Sequence, residues 1–211
     1  MREQVKRLAL DLLIQHGLRG VSFGDLAKTL NTTRANIHYH FGSKQKLVEE
    51  VLEDYVDDTL AGIEAVLRRD DLTLIEKIEE TLAMSRRRHA KYNGGGKTGR
   101  PWSLIARMRQ DSEALTPKGR AALKRFASAL EKNITAAVRR AKQRGEFDPS
   151  MPTEDVALQW ISIANSAGPI TQDAGNFERL EQLYMAFSRI IQHAYGQEPA
   201  RGSVRKRNLK R

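Results

Sequence analysis

The chain has 211 residues, of which 40% are hydrophobic and 29% are charged, a balance typical of a soluble helical protein with a sizeable core. It contains no cysteine, which excludes disulfides and thiolate metal sites. No stretch approaches the roughly 20 consecutive apolar residues that a membrane-spanning helix needs.

The net charge of +10 is concentrated at the two ends of the chain. Residues 1–44 carry seven Lys/Arg and three Asp/Glu, and residues 201–211 carry six basic and no acidic residues. Residues 45–200 carry 23 of each sign. A charge that served solubility alone would be spread along the chain. Its position therefore indicates a polyanion as the partner of the two ends.

The first three predicted elements are short amphipathic helices. Residues 2–16 form a helix that Gly17 ends and that braces the next two. Residues 23–30 place apolar side chains at i, i+3 and i+4, and Ser22 and Asp25 have the spacing of a capping box at their start. Asn31 then tolerates the left-handed backbone that a tight turn requires. This pattern predicts a helix, a turn and a second helix.

The second helix of this pair, over residues 33–41, has an unusual outer face. Ile37 and Phe41 are four residues apart and point inward. The opposite face and its two edges carry Arg34, Ala35, Asn36, His38, Tyr39 and His40. A solvated helix face normally mixes Glu with Lys, whereas this face has no acid. Its groups can donate to phosphates or read base edges, so we predict a DNA-recognition helix.

This segment resembles the helix-turn-helix of the tetracycline-repressor (TetR) family of bacterial transcription factors. The resemblance covers about residues 5–52, and the matching residues are Gly20, Ser22, Leu26-Ala27, the run from Ile37 to Phe41, Ser43-Lys44 and Leu47. Asn31 stands where glycine is commonest in the family. The resemblance implies a cytoplasmic, non-enzymatic regulator without a cofactor or metal, most often a repressor, that binds double-stranded DNA as a homodimer.

Nine residues are expected to contact the DNA. Those at the start of the recognition helix would approach or read bases: Thr33, Arg34, Ala35 and Asn36. We expect Ala35 to meet a thymine methyl group and Asn36 an adenine. The others would mostly hold phosphates: Ser22, His38, Tyr39, His40 and Lys44. An alternative for His38 and His40 is a surface histidine without a partner, and a zinc pair is not expected because i, i+2 residues on a helix diverge.

The rest of the chain predicts a second helical domain. A helix over residues 44–68, about 37 Å long, leads into it, and further helices are predicted over residues 72–91, 102–109, 118–145, 153–167 and 177–195. The expected fold is all-α with about nine helices. The expected domains are a helix-turn-helix domain over 1–46, an effector-binding and dimerisation domain over 47–195, and a basic, disordered tail over 196–211.

The resemblance implies that the second domain binds a small-molecule effector. Four large side chains are candidates for its pocket, with ordinary core packing as the alternative for each: Trp102, Met108, Phe126 and Trp160. The run Arg86-Arg87-Arg88 is either a solvated helix end or an anchor for an anionic ligand. The ligand class stays open, although a pocket with a basic rim would suit an acyl thioester or an acidic aromatic compound.

The last two predicted helices, over 153–167 and 177–195, are apolar on more than one face, which indicates burial on more than one face. Two such helices from each subunit would form a four-helix bundle about a two-fold axis. The resemblance implies the same dimer interface. After it, the basic tail either adds phosphate contacts or only keeps the protein in solution.

The sequence gives little support to two other classes of function, an enzyme and an architectural DNA binder. Gly96-Lys97-Thr98 suggests a phosphate-binding loop, but Lys91 stands where that motif needs glycine, and the loop follows a helix where a strand is required. No nucleophile with a base, metal set or cofactor loop indicates an enzyme. An architectural DNA binder would not need a helical second domain of about 150 residues.

Overall fold

The computed structural model describes residues 1–94 and 98–197. Within these residues the protein is all-α, with ten α-helices, two short 3-10 turns and a single isolated β-bridge between Phe147 and Gly196. The helices are α1 Arg2–His16, α2 Phe23–Thr29, α3 Arg34–Phe41, α4 Lys44–Leu67, α5 Leu74–Asn93, α6 Leu104–Gln110, α7 Pro117–Gln143, α8 Thr153–Asn165, α9 Ala167–Ala174 and α10 Glu178–Tyr195. The predicted fold class is therefore confirmed, with one helix more than the predicted nine. None of the helices in these residues is long and apolar enough to span a bilayer.

Helices α1, α2 and α3 pack around a small core of fully buried aliphatic side chains, including Leu13, Leu26 and Ile37. Hydroxyl side chains cap the successive helices: Ser22 accepts from the Asp25 amide, Thr33 from the Asn36 amide and Ser43 from the Lys46 amide. Each cap satisfies a backbone donor that the first turn of a helix leaves free.

Asn31, in the turn between α2 and α3, has φ +49°, and it alone combines a positive φ with a side chain among the described residues. Asparagine visits this left-handed region more readily than other residues with a side chain. The prediction that Asn31 would take the role usual for glycine is confirmed.

Helix α4 connects the two halves of the chain. Its 24 residues give a rod of about 36 Å. It packs on α1 and α3 of the N-terminal unit and also on α5, α6 and α7. The predicted domain boundary at residue 46 falls inside this continuous helix, so the division into domains stays a prediction.

Helix α1 also contacts the second half of the chain directly, at the junction formed by its C-terminus and α6. The Leu18 amide donates to the Asp111 carboxylate at 2.9 Å. Gly17 has φ +68° and ψ −166°, and a Cβ atom added there would lie 2.5 Å from Oδ2 of Asp111. About two turns earlier in α1, the carboxylate of Asp11 accepts from the Tyr92 hydroxyl at 2.8 Å and from Nζ of Lys91 at 2.9 Å.

The C-terminal region contains the helix that the sequence did not predict. Residues 167–174 form α9 because the chain bends at Ser166, where φ is −93° and ψ is 1°, and Pro169 is tolerated in the first turn of the new helix. The predicted tail begins later than residue 196, since the Gln197 amide donates to the Glu146 carbonyl at 3.2 Å. The remainder of the predicted tail lies outside the described residues, as do Gly96 and Lys97 of the rejected phosphate loop.

Candidate nucleic-acid interface and internal cavity

Helix α3 presents one buried and one exposed face. Ile37 and Phe41 are 0% and 3% exposed and fix the helix on the small N-terminal core, whereas Tyr39 is 85% exposed. Thr33, Arg34, Ala35 and His38 are exposed as well. Since α3 contains no Asp or Glu, its outer face offers only donors, neutral acceptors and one cation. Such a face is compatible with a phosphate backbone.

Asn36, the predicted adenine reader, is partly buried, and its side-chain amide donates to Oγ1 of Thr32 at 2.9 Å. This bond holds the amide on the turn between α2 and α3 in the free protein. A contact between Asn36 and a base edge therefore requires the amide to share or exchange this partner. The hydrogen bond between Asn36 and Thr32 could have been anticipated from the sequence, because the two residues are four apart.

The predicted phosphate-contacting residues surround the same face. His38 packs edge-on against Phe23 with ring centroids 6.3 Å apart, and the ring of partly buried His40 lies between those of Tyr39 and Phe41. The hydroxyl of exposed Ser22 donates to the Asp25 carboxylate at 2.6 Å. Lys44, at the first turn of α4, is half-buried. Each histidine ring packs against at least one neighbouring aromatic ring, and whether either contacts DNA stays a prediction.

Arg2 holds α3 in place by contacts that periodicity does not reveal. Its guanidinium lies 4.5 Å from the centroid of the Phe41 ring and donates to the His40 carbonyl at 2.5 Å. It also pairs with the carboxylate of Glu50 on α4. The end of the recognition helix is thus fixed from two sides.

The second half of the molecule contains a partly open cavity that is lined by residues from each of the helices α4 to α10. Trp102, Phe126 and Trp160 form part of its wall. The fourth candidate, Met108, is 0% exposed and lies in the core outside this wall. Whether any of the four contacts an effector stays a prediction.

Two arginines line the cavity. Arg109 of α6 donates to Oδ1 of Asn165 at 3.0 Å, and its burial lowers the pKa of the guanidinium, which nonetheless stays charged. Arg88 of α5 lies with its guanidinium 5.5 Å from the centroid of the Tyr55 ring. The run of three arginines is therefore divided: Arg88 lines the cavity, whereas Arg86 pairs with Glu181 away from it.

The wall also contains a polar group that sequence reasoning missed. Thr59 of α4 is 3% exposed, and its hydroxyl has no hydrogen-bond partner among the described residues. In the sequence Thr59 sits within the apolar stripe of α4 and gives no sign of a special role. Arg109 was missed as well, because a single arginine at the end of a short helix resembles a solvated one.

A compact three-helix unit with an acid-free third helix is joined by the long helix α4 to a helical half that contains a cavity, and this arrangement defines a helix-turn-helix protein with a second helical domain. Residues 7–51 match the sequence profile of the bacterial regulatory proteins of the tetR family. These residues make the N-terminal part of the chain similar to the TetR family.

Named relatives match over a minor part of the chain. The HTH-type transcriptional repressor KstR2 of Mycolicibacterium smegmatis is 32% identical over 56 residues, which are 26% of this chain and 27% of that protein. The biofilm operon icaADBC negative transcriptional regulator IcaR of Staphylococcus aureus is 29% identical over 63 residues, which are 28% of this chain and 34% of that protein. The matches thus span about a quarter to a third of these curated relatives.

Solved structures match over nearly the whole chain. A TetR-family regulator from Agrobacterium tumefaciens has a TM-score of 0.77 at 18% identity, over 90% of this chain and 96% of that one. A transcriptional regulator from Saccharomonospora viridis in complex with choline has a TM-score of 0.71 at 19% identity, over 93% and 98% of the two chains. At these identities the matches establish the fold.

Proposed function

We propose that the protein is a transcriptional repressor that binds a near-palindromic operator as a homodimer and releases it when a small molecule occupies the cavity. One observation carries this proposal: α3, with its exposed and acid-free face, sits at one end of α4, and the other end of α4 forms a wall of the cavity. DNA reading and ligand binding would then share one rigid element.

On the DNA, α3 would enter the major groove with its first turn against base edges. Ala35 would contact a thymine methyl group and Asn36 an adenine, while Thr33 and Arg34 would reach bases or the adjoining backbone. The exposed phenol of Tyr39 would hold a phosphate, together with Ser22, His38, His40 and Lys44.

Dimerisation would use α8 and α10, which pack on each other. Leu158 and Ile190 are each 62% exposed, an unusual exposure for large aliphatic side chains on two adjacent helices. A two-fold axis through this face would bury both residues against their copies and form a four-helix bundle. The two recognition helices would then meet half-sites about 34 Å, or one helical turn, apart.

Ligand control would act through α4 and α6. Thr59 and Arg109 of the cavity belong to these two helices, and α6 also ends at Asp111, which binds the Leu18 amide. A ligand can change operator affinity only by binding two arrangements of these helices unequally. The S. viridis neighbour binds choline; we infer that this chain also binds a small molecule, of a different charge class.

The proposal is tested by selecting bound DNA from a random pool with the full-length protein. A near-palindromic consensus is expected. Tyr39→Ala should weaken binding to consensus and random DNA alike, whereas Asn36→Ala should reduce the preference for the consensus by roughly 1–3 kcal/mol. Lys132→Ala, which removes an exposed cation from α7, is the control and should change neither. Recovery of no enriched sequence, or equal loss on both DNAs for both variants, would reject the assignment.

A further inference from the structure

We propose that the cavity selects a small organic anion, a carboxylate with an apolar body, whose charge is balanced by Arg109 and Arg88. The inference rests on the proposed function only in treating the cavity as the effector site. It concerns which chemical class of ligand the cavity accepts.

The charged side chains of the cavity wall are all of one sign, positive. Among the described residues that line the cavity, the charged side chains are Arg88 and Arg109, and none is Asp or Glu. Elsewhere in this protein arginines find acids, as Arg86 does with Glu181 and Arg125 with Asp57. A cation taken out of water without an acid is unfavourable, and an anionic ligand would remove that cost.

Arg109 is the stronger of the two anchors. Its side chain is half-buried, and it makes one hydrogen bond, to the neutral amide of Asn165, within the described part of the chain. A guanidinium has five N–H donors in a planar fork, so most of them stay available for a carboxylate. Asn165 fixes the direction of the fork without neutralising its charge.

Arg88 approaches the same space from another helix. It is half-buried on α5 with its guanidinium over the ring of Tyr55, which itself lines the cavity. The ring orients the guanidinium and shields one of its faces from water. Two arginines from α5 and α6 thereby direct positive charge into a single cavity.

The unpartnered hydroxyl of Thr59 supplies a third polar contact. It is nine-tenths buried or more, lines the cavity and comes from α4. A buried hydroxyl without a partner costs free energy that a ligand oxygen would recover. A carboxylate has acceptor sites enough for two guanidinium groups and a hydroxyl.

The remaining wall is suited to an apolar body. Phe126, Leu130 and Ile134 of α7 form one side, and Trp102 and Trp160 lie close by. Ligand sites typically combine such a lining with a few convergent polar groups. The combination excludes a purely inorganic anion as the preferred ligand, because the apolar wall would then stay empty.

The test uses intrinsic fluorescence, because the protein has two tryptophans and both line the cavity. Phenylacetate, 4-phenylbutyrate and octanoate are titrated into the full-length protein, each alongside its neutral amide and its amine counterpart. At least one carboxylate should give a saturable change and bind about tenfold or more tightly than its amide. The amines should bind least.

Three variants connect that preference to the residues. Arg109→Gln should abolish most of the difference between acid and amide and leave the affinity of the amide unchanged. Arg109→Lys should retain part of it, because the charge survives while the planar fork is lost. Arg87→Gln is the matched control on an exposed position of α5 and should retain all of it. Unliganded Arg109→Gln protein should retain the helical circular dichroism spectrum and the cooperative urea unfolding of the unsubstituted protein, which verifies its fold; if it does not, Arg88→Gln takes its place.

The inference is overturned if amides or amines bind as tightly as their acids, or if no carboxylate gives a saturable change at millimolar concentration. It is also overturned if Arg109→Gln and Arg88→Gln both leave the preference for the acid intact. None of these measurements involves DNA. If the protein selects no operator but prefers carboxylates, the proposed function is refuted and this inference stands. If it selects an operator but shows no preference for carboxylates, the proposed function stands and this inference is refuted.

Discussion

Substituting Gly17, which is buried at the C-terminus of α1, by alanine should destabilise the protein strongly. Gly17 ends α1 with φ +68° and ψ −166°, a backbone region that only glycine occupies readily. Its Cβ atom would also lie 2.5 Å from Oδ2 of Asp111 and 2.7 Å from Nε of Arg107. Both side chains belong to α6 and its C-terminal cap.

The cost has two parts. Placing a side chain in this backbone region costs about 1–3 kcal/mol. Displacing the Asp111 carboxylate breaks its 2.9 Å bond with the Leu18 amide, and a partly buried amide without an acceptor costs about 1–3 kcal/mol more. The expected loss is about 2–6 kcal/mol, a large share of the roughly 5–15 kcal/mol that stabilises a typical domain.

Urea unfolding followed by circular dichroism measures this loss. Gly175→Ala is the matched control: Gly175 also has φ +68°, but its ψ is 9° and a Cβ atom there would meet nothing within 4 Å. We expect about 1–2 kcal/mol for the control. Equal losses for the two variants would show that the contact between Gly17 and α6 contributes nothing.

Three further predictions follow from single contacts. Leu158→Glu should convert a dimer to monomers by light scattering, whereas Gln159→Glu, one residue away on α8, should not. Burial and the bond to Asp11 raise the pKa of Tyr92 to about 12. The stability that the neutral phenol contributes is therefore complete below pH 10 and is lost as the pH rises toward about 12. Tyr92→Phe should remove a late step from the ultraviolet titration of tyrosine. Thr33→Ala removes the cap of α3 and should cost about 1 kcal/mol in urea unfolding, with Thr33→Ser as the control that retains it.

The N-terminal helices could be predicted closely because their signals are local. Caps at Ser22, Thr33 and Ser43 lie within three residues of the amides they satisfy, and the apolar spacing of α1 to α4 has the helical period. Helix α9 was missed for the opposite reason: the apolar run through Ala164 and Ala167 continues across the bend at Ser166. Periodicity does not register a change of direction.

The cavity could be predicted only in part. Tryptophan and phenylalanine attract notice in a sequence because they are large, and Trp102, Trp160 and Phe126 do lie in its wall. Thr59 and Arg109 could not be predicted as cavity residues, because they come to line the same cavity only when α4 and α6 pack together in the fold. Met108 is a large apolar side chain like the other three, yet it is buried in the core. The sequence does not distinguish it from them, because residue spacing does not show whether a buried side chain lines a cavity or packs in the interior.

The length of α4 has a mechanical consequence. Over about 36 Å, a tilt of about 5° at the Leu67 end displaces the Lys44 end by about 3 Å, close to the 3.4 Å rise of one base pair. Under the proposed function the rod would therefore act as a lever with a long arm. An adjustment at the cavity no larger than a rotamer change would then move α3 by almost the rise of one base pair.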